Sequence, residues 1–172
     1  VVGREVSAKE TVVVSTGAVK AGETAFNIIP DTATMNGTVR SFSPAVQDHV
    51  ESAIRRVIAG ACQMGRCDFS LDYKRFIPAT INDPAVTAEA RKVFEAMAGT
   101  ENVREMGLIM GSEDFSYFQQ KVPGTFFFLG SGNPAKGTDN AHHHPKFNVD
   151  EDALPLGTAC LAGFAWSRLR GN

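Results

Sequence analysis

Apolar and polar positions along the chain change period several times, and the changes mark the elements. Residues 1–10 read as the end of a helix or a linker. Thr11 to Gly17 is a run of β-branched residues closed by a glycine, which predicts a strand, continued by residues 18–22 as strand or turn. Phe26-Asn27-Ile28-Ile29 is a short apolar segment stopped at Pro30-Asp31, a turn signal. From Thr32 to Phe42 the period is two: Ala33, Met35, Gly37, Val39 and Ser41 share one face of a predicted strand. Ser43-Pro44 then opens a helix, with serine as N-cap and proline in the first turn. Val46, Val50, Ile54, Val57, Ile58 and Cys62 form one apolar stripe on it at spacings of three and four, and Gly65 is placed to stop it. Phe69, Leu71 and Tyr73 alternate in a further predicted strand that reaches Phe76.

Asn82-Asp83-Pro84 is the strongest boundary signal. A helix follows it, with Val86, Ala90, Val93, Phe94 and Met97 on one face and Gly99 at its end. Ser112-Glu113-Asp114 is expected to cap a short helix containing Phe115 and Phe118, its acidic residues suiting the dipole. Thr125 to Gly130 is greasy on both faces and predicts a central strand. Residues 131–146 are a loop rich in Gly, Asn, Pro and His. The last helix is expected to begin near Asp150-Glu151-Asp152, with Pro155 in its first turns and Leu156, Cys160, Leu161, Phe164 and Ala165 on its apolar face.

The order strand, strand, helix, strand over the first part predicts an antiparallel sheet with helices on one face, an α+β domain over residues 1–83. Residues 84–172 alternate helix and strand like an α/β layer, but one strand is too few for a sheet that stands alone.

Composition narrows the function classes. Seventeen Lys and Arg against nineteen Asp and Glu give a formal charge of -2, which excludes the strong basic excess of a nucleic-acid binder. No apolar run approaches the length of a membrane-spanning helix; Phe126-Phe127-Phe128-Leu129 is strand-sized. Three cysteines, with no CxxC pair, do not make a disulfide-stapled secreted domain, so a reducing, cytoplasmic setting is expected. The chain begins at Val1 without a signal-peptide pattern, as if cut from something longer.

Chemistry concentrates at His142-His143-His144-Pro145, in the loop after the apolar strand, where α/β proteins place their sites. Histidine is the commonest metal ligand. Metal binding or catalysis competes here with an exposed polar loop. Adjacent residues in an extended loop cannot all face one ion, and a catalytic metal site needs at least three protein ligands. Asp139, Glu113, Asp114 and His49 are the remaining candidates, without HExxH-like spacing. Glu113-Asp114 also reads as a helix-dipole complement, and His49, beside Asp48 and Glu51, as part of a solvated helix face. Cys160 and Cys62 read as packing residues. No GxSxG elbow or phosphate loop occurs.

Gly22-Glu23-Thr24-Ala25-Phe26-Asn27-Ile28-Ile29-Pro30-Asp31, followed by Gly37-Thr38-Val39-Arg40, resembles the dimerisation or lid domain of the M20 metallopeptidase and amidohydrolase family. The branch is the hippurate, N-acyl-amino-acid and indole-acetyl-amino-acid hydrolases. Met110-Gly111-Ser112-Glu113-Asp114-Phe115-Ser116-Tyr117-Phe118 is similar to that branch. So are Phe127-Phe128-Leu129-Gly130, His143-His144-Pro145-Lys146-Phe147 and Asp152-Ala153-Leu154-Pro155-Leu156-Gly157. The resemblance runs over essentially the whole chain.

It implies a lid of a four-stranded antiparallel sheet and two helices over residues 1–83, incomplete at its start. Residues 84–172 would be the C-terminal return into a zinc-peptidase-like catalytic domain. The family's HxCGHD-like segment, Glu-Glu pair and further histidine have no counterpart here. The resemblance therefore implies that most metal ligands and the general-base Glu are missing, and that this chain alone is inactive. His143, the first histidine of a His-x-Pro motif, is the implied ligand to one of two divalent ions, zinc or manganese. Asn27 is the implied substrate or oxyanion contact across a homodimer, and Glu113 lies near the site. The implied reaction is hydrolysis of the amide bond of an N-acyl amino acid, a small-molecule substrate, with no nucleic-acid or membrane partner. A non-catalytic dimerisation or binding module is the alternative reading, and a standalone metal-binding protein using His142 to His144 a third.

Overall fold

The computed structural model of the protein describes residues 1–22 and 25–171, so Glu23 and Thr24 of the Gly22–Asp31 motif lie outside the described residues. The chain forms two compact units, Val1–Ala79 with Ile109–Glu113, and Thr80–Leu108 with Asp114–Asn172.

In the first unit a one-turn helix, α1 (Val2–Glu5), leads into a long hairpin of β1 (Val12–Ala21) and β2 (Ala33–Ser41). The strands pair antiparallel from Val12 opposite Ser41 to Ala21 opposite Ala33, with a bulge at Gly17 between Thr16 and Ala18. Strand β1 therefore runs through the glycine expected to close it. Opposite the bulge, Gly37 lies so close to β1 that a Cβ on it would stand 2.5 Å from the Ser15 carbonyl oxygen. Alternation along β2 does not translate into a buried face: Met35 is 65% exposed and Val19 on β1 66%.

Helix α2 (Pro44–Gly65) starts as its sequence dictates, the Ser43 hydroxyl accepting the Val46 N–H. Its buried contacts centre on Val50 and Ala53, while Val57 stays 45% exposed. The left-handed residue that stops α2 is Arg66 (φ 53°, ψ 47°), one position beyond Gly65.

Residues 69–76 are not a strand. Leu71 and Tyr73 are half-buried and Asp72 and Lys74 exposed, so the expected alternation is present. What is missing is a ladder: the sheet of the described residues holds β1 and β2. The segment is fastened to α2 by side chains, Arg75 donating to Asp48 at 2.6 Å and to Glu51 at 2.7 Å. The four-stranded lid sheet implied by resemblance is accordingly a two-stranded one here.

In the second unit α3 (Pro84–Ala98) is capped by the Asp83 carboxylate, which accepts the Val86 N–H at 2.9 Å, and ends at Gly99 (φ 88°). A single turn, α4 (Ser116–Gln119), follows Phe115 without a side-chain cap. The Asp114 carbonyl accepts the Tyr117 N–H at 3.0 Å. The last helix, α5 (Leu154–Leu169), is entered through a 3₁₀ turn, Glu151–Ala153, in which the Asp152 N–H donates to the Asp150 carboxylate and the Ala153 N–H to the Asp150 carbonyl.

Helices α3 and α5 pack through Ala90, Phe94 and Cys160, with Val93, Val103, Phe127, Leu156 and Phe164 around them. Leu161 and Ala165 of α5, expected in the core, are exposed, and Leu161 is 60% accessible. The face turned to α3 carries Cys160 and Gly163, while Gly157 packs against Leu129. A Cβ on Gly163 would stand 2.1 Å from the end of Met97 and 3.2 Å from Val93. Close approach of the helices selects a glycine at position 163.

Thr125–Gly130 is extended but is no strand. Its backbone partners come from one side chain and one turn. The Asn82 amide donates to the Phe126 carbonyl at 2.8 Å and its oxygen accepts the Phe126 N–H at 2.7 Å, while Gly124 O accepts from Asp83 N at 2.9 Å. A side-chain amide in that position replaces a ladder neighbour, and Phe127 is left free to stack at 4.5 Å on Phe94.

Candidate functional site

The histidine run occupies two consecutive turns that follow from local sequence. His144 N–H donates to the Ala141 carbonyl at 3.1 Å, and His143, the third residue of that turn, has φ 65°. That is the type II pattern, usually filled by glycine or asparagine. A non-glycine residue there is uncommon and strained. Phe147 N–H then donates to the His144 carbonyl at 2.9 Å, with Pro145 second in the turn, where its fixed φ fits.

The three imidazoles are thereby given different surroundings. The His142 ring stands edge-on to Phe147 at 4.8 Å. His144 Nδ1 accepts the Lys146 N–H at 3.1 Å, which commits that nitrogen and places the proton of the neutral ring on Nε2. His143 is exposed, its ring 5.6 Å from that of His142, and neither of its nitrogens is hydrogen-bonded among the described residues. A neutral imidazole with an uncommitted lone pair is what a zinc- or manganese-class ion takes.

The loop bearing this turn is closed at its base by Asp150. The Asp150 N–H donates to the Ser131 carbonyl at 2.8 Å, and its carboxylate accepts from Asn133 at 2.7 Å and from Lys136 at 2.6 Å. The Lys136 ammonium, seconded by the Asn133 amide, lowers the Asp150 carboxyl to about 2. Inside the loop, buried Thr138 bonds back to Asn133.

The other candidates fall elsewhere. Asn27 is exposed in the β1–β2 connection, beside Phe26, Ile28 and Ile29, which are also exposed. Glu113 is half-buried at the end of Ile109–Glu113, in the first unit. Asp139 and Asp114 are exposed. His49 is exposed on α2, and its Nε2 donates to the Glu5 carbonyl at 2.8 Å, tying α1 to α2. Among the described residues no three His, Cys, Asp or Glu side chains converge as a metal would require. The described residues thus offer exposed imidazoles on one turn rather than a closed set of ligands.

One positioning residue escapes sequence reading. Arg40, half-buried at the end of β2, donates to the Met110 carbonyl at 2.6 Å and to Ser112 Oγ at 3.3 Å, fastening the Met110–Glu113 stretch to the hairpin. A lone guanidinium at the buried end of an otherwise uncharged strand was the available signal.

An α+β chain with an uncommitted imidazole on a strained turn invites comparison with metallohydrolases. The model of peptidase family M20/M25/M40 matches residues 3–167, and the chain belongs to that family. It is 38% identical over 168 residues to IAA-amino acid hydrolase ILR1-like 4 of Arabidopsis thaliana, covering 95% of this chain and 38% of that protein. It is 36% identical over 163 residues to thermostable carboxypeptidase 1 of Saccharolobus solfataricus, covering 94% and 40%. Among solved structures it is similar to YXEP of Bacillus subtilis, described as a dinuclear metal-binding peptidase of the M20 family. That match has a TM-score of 0.78 and 31% identity over 94% of this chain and 43% of that one. The chain spans about two fifths of the length of the curated relatives it matches. No helix among the described residues is long and apolar enough to cross a membrane.

Proposed function

We propose that this chain is part of a metal-dependent amidohydrolase that cleaves the amide bond of N-acyl amino acids. Residues 1–83 serve as its dimerisation lid and 84–172 as the C-terminal portion of its catalytic domain. The observation that carries the reading is the histidine turn: the Lys146 N–H takes His144 Nδ1 and the His142 ring lies edge-on to Phe147, while His143 sits at the positive-φ position of the turn, exposed and with its ring nitrogens uncommitted. His143 is the residue that would hold one of two divalent ions, zinc or manganese, whose remaining ligands and general base belong to sequence outside these residues. When bound, such a pair lowers the pKa of a shared water and polarises the scissile carbonyl.

The chain's own residues orient and support. The Asp150–Asn133–Lys136 latch holds the loop ends together so that the His143 ring is preset. Asn27, with an amide able to donate or accept, is the lid's contact to substrate across the dimer. The dimer itself is supported by the exposed Phe26, Ile28 and Ile29 on the hairpin connection, 103%, 67% and 91% accessible, a run of exposed apolar residues of the kind that serves as an interaction site.

The test is amino-acid release from benzoyl- and indole-acetyl-amino acids by the protein extended to the length of its relatives. Turnover that is lost on chelation and restored by zinc or manganese is expected. Metal-loaded protein that binds these conjugates without cleaving them would favour a binding module instead.

A further inference from the structure

The C-terminus of α2 carries a pair of thiols that the hydrolase reading does not use. Helix α2 ends in a Schellman motif. Arg66, left-handed, donates its N–H to the Gln63 carbonyl at 3.3 Å, and Cys67 donates to the Cys62 carbonyl at 3.0 Å. In that motif the residues joined by the outer hydrogen bond stand side by side and commonly make an apolar contact. Here both are cysteines. The Cys67 sulfur folds back over the helix end, 3.7 Å from the Cys62 carbonyl oxygen and 3.6 Å from where a Cβ on Gly65 would be. The Cys67 side chain beside it, with desolvation, holds the Cys62 thiol above its usual range. Cys67 is exposed and Cys62 half-buried, whereas Cys160 is buried in the other unit.

We propose that Cys62 and Cys67 form a reversible redox-modification site, closed to an intramolecular disulfide by exchange with a small-molecule disulfide. The hydrogen bond from the Cys67 N–H to the Cys62 carbonyl at 3.0 Å sets the two residues side by side, the arrangement from which a disulfide can close. Roles divide by environment. Cys67 is solvent-facing, so a dissolved disulfide reaches it and Cys67 attacks first. Cys62 is half-buried, and the Cys67 side chain beside it together with desolvation pushes its thiol up, so Cys62 is the resolving partner.

In the first step the Cys67 thiolate attacks one sulfur of the reagent, the reagent S–S bond breaks and one thiolate leaves. In the second, Cys62 gives its proton to solvent and attacks the Cys67 sulfur of the mixed disulfide, expelling the second reagent thiolate. Two protein thiols are oxidised, one reagent disulfide is reduced to two thiols, and no other oxidant is needed.

The experiment treats the full, reduced chain under native conditions with bis(2-hydroxyethyl) disulfide, then alkylates it in denaturant and weighs it. Expected is a fall from three alkylatable cysteines to one, with a mass loss of two hydrogen atoms, no retained reagent and a peptide map joining Cys62 to Cys67. Cys62→Ser should instead keep one reagent half on Cys67. A wild-type chain that retains the adduct at Cys67 as Cys62→Ser does overturns the proposal, as does cross-linking that runs mainly between chains or to Cys160.

Discussion

The α3–α5 interface yields a quantitative prediction through Phe94. Its side chain is 9% exposed, lies between Ala90 and Cys160, and stacks on Phe127 with ring centroids 4.5 Å apart at 52°. Phe94→Ala removes about 2–3 kcal/mol of apolar burial and about 1 kcal/mol of aromatic pairing. The sum is about 3–4 kcal/mol, within the range found for such truncations when a cavity is left. The cavity is expected to persist because Phe127 is held in place by the Asn82 clamp on Phe126. Urea denaturation followed by the fluorescence of Trp166, the single tryptophan and a residue of α5, reads the loss in the unit concerned. Phe94→Leu, which keeps most of the volume, should cost less than half as much. A loss below about 1 kcal/mol for Phe94→Ala would refute the claim that this small core holds the two helices together.

Two further outcomes follow from geometry. Gly37→Ala should cost about 1–3 kcal/mol by urea midpoint, because the new methyl meets the Ser15 backbone oxygen at 2.5 Å, whereas Gly157→Ala, which meets the movable end of Leu129, should cost less. Asp150 has a folded pKa of about 2 against an ordinary 3.8, so its stabilisation of the histidine loop is present above 3.8 and is lost as pH falls through about 2. Carboxyl NMR titration should place its midpoint near that lower value, and Lys136→Met should move it upward; an unchanged midpoint would remove Lys136 as the main cause.

What the sequence disclosed and what it hid divide by the range of the interactions concerned. Helices α2 and α3 were legible to within a residue because their limits are local chemistry: Ser43 and Asp83 each cap the third N–H onward, a proline follows each, and Gly99 takes a positive φ. The alternation of Leu71 and Tyr73 was real, but a strand exists only with a neighbour, and Arg75 binds that segment to α2 by its side chain. Thr125–Gly130 failed for the same reason, with Asn82 standing in for a strand. In α5 apolar residues run all round the helix, so the buried face was decided by Gly157 and Gly163, to which apolar periodicity is blind. At the site, the histidine run announced itself by composition, while the choice among its three rings depends on turn geometry and on Lys146 N–H, and Arg40's hold on Met110 spans seventy positions.

Metal content of the full-length protein with His143→Ala, measured by inductively coupled plasma mass spectrometry after equilibration with zinc, tests the account most directly. The prediction is that bound metal per chain falls by at least half while His144→Ala stays near wild type. Unchanged metal in the His143 variant, or an equal loss in the His144 variant, would contradict the assignment of the ligand to His143.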